Sequence, residues 1–100
     1  MRHALIALAL LAAPALADNA PLNFDIAKLC AWQAQNNAMD TGECSKMETE
    51  AQGAIAALEA AADAKHKEVC QTEARNYSGD SGFASYTVYA GCLKDGPGSN

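Results

Sequence analysis

The chain lacks the residue patterns on which most small-protein chemistry is built. It has no Gly-x-Ser-x-Gly turn for a nucleophilic serine, no phosphate-cradling glycine loop and no zinc-ligand signature. Its four cysteines are spaced too widely for a Cys-x-x-Cys redox centre or a haem attachment site. The ligand spacing of a calcium loop is missing as well. Ser78, Ser81 and Ser85 stand in a glycine-rich stretch with no obvious base near them. These absences argue against an enzyme, and nothing in the chain calls for a cofactor or a resident metal. Basic residues are scarce, with 7 Lys plus Arg against 12 Asp plus Glu and a formal net charge of −5. Such a surface has little to offer a nucleic acid or an anionic membrane. The apolar run from Ala4 to Ala13 is too short to span a bilayer.

That short run has a different meaning. Arg2 and His3 precede it, and Ala15-Leu16-Ala17 supplies a small-x-small cleavage site, so residues 1–17 read as a secretory signal peptide. The expected location is periplasmic or secreted, without membrane insertion once the signal is removed. The mature chain would begin at Asp18 and keep twelve acids against six Lys plus Arg, a net charge of −6. Solubility explains that excess, and so does a basic protein partner. Residues 18–95 form the expected domain, and 96–100 a disordered tail.

Four cysteines, Cys30, Cys44, Cys70 and Cys92, read as two disulfides in a small exported chain. A domain of this size buries little core and commonly needs such staples. The stretch from Cys44 to Cys70 organises the rest. Cys44, Met47, Ala51, Ile55, Leu58, Ala62, Val69 and Ala74 recur near a 3.6 period, and Ala, Glu, Lys, Gln and Met dominate the composition. This predicts one helix over about 43–76. Asp40 with Glu43, or Ser45 with Glu48, would box its start, and Asn76 and Gly79 would stop it. An unbroken helix forbids a Cys44–Cys70 bond, because a disulfide needs Cα atoms within about 7 Å. Cys30–Cys44 with Cys70–Cys92 is favoured, each closing a short loop. Cys30–Cys70 with Cys44–Cys92 would need flanking segments that run the length of the helix. Cys30–Cys92 with Cys44–Cys70 would need a break, at Gly53 for example.

Residues 18–23 read as a flexible terminus. Asn23 caps a predicted helix over about 24–37, with Phe24, Ala27, Cys30 or Ala31, and Ala34 as its apolar stripe and Trp32 off it. Asn36-Asn37 through Gly42 form a turn, and 78–82 a loop. Tyr86-Thr87-Val88-Tyr89 has strand-like composition, whereas Phe83, Tyr86, Ala90 and Leu93 recur at helical spacing. The helix is favoured, since a lone strand has nothing to pair with. The fold class is therefore all-α: a long central helix with shorter helices folded back at each end, stapled by two disulfides. Leu29-Cys30 through Asn36 also echoes Val69-Cys70 through Asn76, and each copy precedes a cysteine with a lysine two residues later. The echo supports one local disulfide per half; coincidence in an alanine-rich chain is the other explanation.

The order Cys30-x13-Cys44-x3-Glu48-x-Glu50-Ala51, then Cys70, then a glycine-rich loop with Ser85-Tyr86, then Cys92-Leu93, resembles a group of small secreted four-cysteine helical proteins of Gram-negative, alphaproteobacterial type. Each half of those proteins carries a Gly-Gly-Ser-Tyr-like loop between its cysteines. Here the second half matches as Phe83-Ala84-Ser85-Tyr86, and the first half lacks the tyrosine motif. The resemblance implies no activity. Glu43-Cys44, Ser78 to Gly82 and Cys92-Leu93 are similar to parts of the exported family related to bacterial lysozyme inhibitors. That family's Asp-x-x-Leu-Asn and Gln-x-x-Trp segments are missing, so no inhibitory residue carries over.

Three features bear on function. His66 and Cys70, four apart, would form a metal or nucleophile pair only if Cys70 kept a free thiolate. Glu48, Glu50, Glu59 and Asp63 are candidates for a cation site, with a solvated helix face as the plainer explanation. Trp32, Phe83, Tyr86 and Tyr89 are the candidate partner-binding residues, since aromatic side chains left exposed on a small domain anchor protein partners. The competing role for them is core. The expected function is a small exported binding or envelope-support protein. An acidic inhibitor of a basic, lysozyme-like enzyme is the first alternative, and a metal-binding protein using the acidic face is the second. A homodimer along Ile55, Leu58 and Ala62 is also open.

Overall fold

Four side chains decide where the helices begin. Asp25 accepts a hydrogen bond from the Lys28 N–H at 3.0 Å, Asp40 from Glu43 at 2.9 Å, Asp63 from His66 at 2.7 Å and Ser85 from Val88 at 3.2 Å. Each bond pairs one of the orphaned amides of a first turn and stabilises its helix by about 1 kcal/mol. A computed structural model describes residues 22–98. It contains α1 (Ile26–Asn37), α2 (Thr41–Ala60), α3 (Ala64–Arg75) and α4 (Tyr86–Asp95), with a 3-10 turn at Gly79–Ser81. No strand occurs among the described residues. The predicted signal peptide and the last two residues of the predicted tail lie outside them.

The all-α class and the favoured disulfides are both observed. Cys30–Cys44 joins α1 to α2 with Cα atoms 5.6 Å apart, and Cys70–Cys92 joins α3 to α4 at 5.5 Å. Two disulfides fit an oxidising, exported environment. No described helix is long and apolar enough to cross a membrane.

The predicted helix over 43–76 is not continuous. It stops at Ala60, turns through Ala61 and Ala62, and restarts behind Asp63. The Ala61 and Ala62 amides close onto Leu58 and Glu59. Gly53 lies inside α2 and breaks nothing. Helix α1 also begins two residues later than expected, because Asp25 rather than Asn23 caps it. Its inner face is Leu29, Cys30 and Gln33, whereas Ala27 and Ala31 of the expected stripe are exposed.

Helix α4 is the centre of the molecule, packed against both α2 and α3. Tyr86, Val88, Tyr89, Cys92 and Leu93 of α4 form one core with Ile55, Cys70 and Ala74. Leu22, Phe24, Leu58 and Ala62 pack around it, so Leu22 is not part of a free terminus. The stripe of Ile55, Leu58 and Ala62, considered above for a homodimer, is thus turned towards the core. Helix α1 packs chiefly on α2.

Candidate functional site

Glu48 is the least expected residue of the structure. It lies on α2 with only 3% of its surface exposed. One carboxylate oxygen accepts from the Ser85 hydroxyl at 2.6 Å, and the other from the Tyr86 amide at 2.7 Å. Ser85 is the N-cap of α4 and Tyr86 its first residue. The carboxylate thus pairs an orphaned amide and sits at the positive end of the helix dipole. This contact fixes the start of α4 on α2 and forms one wall of a cleft.

The cleft encloses about 650 Å³ between the end of α1, the first turns of α2 and the start of α4. Gln33, Met39, Met47, Tyr77, Thr87 and Val88 are among its lining residues. Met47, at 41% exposure, and Tyr77, at 38%, are the exposed large hydrophobic residues of the described chain. Both belong to this cleft. The Thr87 hydroxyl oxygen is buried and has no hydrogen-bond partner. Gln33 donates to the Tyr77 hydroxyl at 2.8 Å and accepts from the Asn37 amide at 2.5 Å. These bonds fix the α1 wall against the segment that follows α3.

The four aromatic candidates separate. Tyr86 and Tyr89 are buried, at 2% and 0% exposure, and serve the core. The Tyr86 hydroxyl donates to the Leu22 carbonyl at 3.0 Å and accepts from the Phe24 amide at 3.0 Å and Gln52 at 3.3 Å. Its ring lies 4.7 Å from that of Phe24. The Tyr89 hydroxyl donates to Glu59 at 2.5 Å and accepts from Gln71 at 3.3 Å, linking α2, α3 and α4. Burial, reinforced by the Glu59 hydrogen bond, pushes the Tyr89 phenol up to about 12. Phe83 is half-buried and lines a second cleft of about 290 Å³ with Phe24 and Arg75. Trp32 is half-buried and meets Tyr77 edge to face at 6.0 Å, which places it next to the first cleft. None of the four lines that cleft; Trp32 meets it through the Tyr77 ring and Tyr86 through its amide on Glu48. The sequence does not distinguish Met47 and Tyr77 as site residues, because burial alone separates them from core positions.

The acidic face is dispersed. Glu48 caps α4, Glu59 holds Tyr89 and Asp63 caps α3, so three of its four carboxylates already serve protein donors. No group of three or more His, Cys, Asp or Glu side chains among the described residues is placed to hold a metal ion. His66 Nε2 donates to the Leu93 carbonyl at 3.1 Å and lies 4.0 Å from the Cys70 sulfur, which is in a disulfide. The His66–Cys70 spacing therefore produces a helix-end contact and no thiolate.

No protein-family model matches the chain, and no curated protein or solved structure is significantly similar to it.

Proposed function

We propose that this chain is an exported, disulfide-stapled binding module, periplasmic or secreted, that receives a protein partner in the cleft at the start of α4. The observation that carries the reading is the gathering of Met47 and Tyr77, both exposed, at the mouth of one cleft beside an unpartnered buried hydroxyl. Apolar and aromatic groups around a few oriented polar atoms are the usual make-up of a binding site. Disulfides that tie both helical pairs keep the cleft preorganised, which lowers the entropy cost of binding.

The test is capture from periplasmic extract on immobilised oxidised protein, with mass spectrometry of the bound material. Met47→Lys serves as the cleft variant, since Met47 is exposed and the positive charge falls in the cleft rather than the core. A partner held by the native protein and released by the variant is the expected result. Equal capture by both proteins, or by neither, would overturn the reading.

The acid excess favours one narrower form of it, an inhibitor of a basic, envelope-attacking enzyme such as lysozyme. Titration of lysozyme activity tests this, and unchanged rates at micromolar protein would sink it.

A further inference from the structure

The chemistry of the cleft narrows what it accepts. Its lining includes the thioethers of Met39 and Met47, Val88, the amides of Gln33 and Asn37, and the Glu48 carboxylate. Lysine and arginine are absent from that lining. An anion would therefore meet no opposite charge. Nor would it find a free helix end, because Glu48 already occupies the Tyr86 amide and Ser85 the Val88 amide. A carboxylate stands where an anion would otherwise bind.

We infer that the occupant is a single arginine or lysine side chain presented by a basic protein surface. The inference rests on the proposed binding role and specifies its ligand. Such a side chain has an apolar stem and a charged head. The stem matches Met39, Met47 and Val88. The head carries donors only, and the cleft answers with acceptors. Glu48 has two oxygens with about four lone-pair sites, and two of these are engaged. The Thr87 hydroxyl is unengaged. Trp32 and Tyr77 add aromatic surface beside the mouth, where a passing cation is attracted to a ring face. Glu43 and Glu50 lie four residues before and three after Met47 on one side of α2, with Lys46 between them offsetting one of the two charges, which leaves a net negative charge beside the cleft.

The experiment is an NMR titration of the oxidised protein with N-acetyl-arginine N-methylamide. The neutral, nearly isosteric citrulline analogue is run beside it. Saturable shifts at Met47, Tyr77 and Thr87 in the millimolar range are expected, with the citrulline analogue at least about tenfold weaker. Thr87→Val keeps the side-chain shape and should weaken arginine binding about threefold, with the fold confirmed by an unchanged spectrum elsewhere. Equal binding of the two analogues would overturn the inference, as would shifts confined to other surfaces or the same shifts produced by calcium or zinc alone. Failure here combined with Met47-dependent capture from extract would remove the cationic ligand and leave the binding module standing. Failure of both would remove the cleft.

Discussion

Replacing Glu48 by alanine strands two donors at once. The Ser85 hydroxyl and the Tyr86 amide both end on its carboxylate in a buried setting. Each unpaired buried group costs about 1–3 kcal/mol, so Glu48→Ala should destabilise by about 3 kcal/mol in urea unfolding. Glu48→Gln retains an acceptor for Tyr86 and should lose about 1 kcal/mol, mainly from the charge at the helix end. A loss below about 0.5 kcal/mol for the alanine variant would contradict this account of the buried carboxylate. The sequence placed Glu48 among solvated acids for a physical reason. Helical periodicity reports neighbours within a turn or two, and the partners of Glu48 lie about forty residues away. Tyr89 shows the same limit: its aromatic character was legible, but its hydroxyl network draws on three helices. Its raised phenol also predicts a pH response. The proton is held more tightly in the folded state, so the contribution is complete below the ordinary value of 10.0 and is lost as pH rises through about 12. Unfolding experiments across that window should show stability falling, and Tyr89→Phe should remove that part of the slope.

At the scale of elements, the break between α2 and α3 is the main departure from the pattern in the chain. Ala60-Ala61-Ala62 has high helix propensity and contains neither glycine nor proline, so nothing local argues for a stop. The signal that existed was Asp63, an N-cap residue three before His66. Asp63→Ala should cost about 1 kcal/mol in thermal or urea unfolding while leaving the circular dichroism helical. Helix α4 shows the opposite outcome, because its aromatic and β-branched residues suit a strand. Tyr86, Tyr89 and Leu93 nevertheless fall on one helical face, and Ser85 together with Glu48 caps the start. Spacing and capping prevailed over intrinsic preference, as they do when a buried face decides the matter. The disulfide pairing was legible because each favoured bond closes a short local loop. The cleft was not, because it forms where three segments distant in sequence meet.

The whole molecule is a three-helix core with a satellite. Helices α2, α3 and α4 share one apolar cluster that includes Cys70 and Cys92, both at 0% exposure. The inner residues of α1, Leu29 and Cys30, are buried with Cys44 but are not members of that cluster. The two disulfides should therefore act differently. Replacing Cys70 and Cys92 by serine removes a link that closes a loop of about twenty residues, worth about 3 kcal/mol, and puts hydroxyls into the core. In a domain this small that change should abolish cooperative unfolding. The Cys30→Ser, Cys44→Ser variant should instead release α1 alone. A 12-residue helix is marginal by itself. With the sulfur link gone, its packing on α2 and contacts such as Gln33 with Tyr77 are what hold it in place. Hydrogen exchange should then show lost protection in α1 and retained protection in α2, α3 and α4. Gln33 and Asn37 would leave the cleft wall with it, so the arginine analogue should lose affinity in the same variant. Uniform loss of protection across all four helices would instead make the chain a single cooperative unit. The Cys30–Cys44 bond would then serve global stability rather than the shape of the cleft.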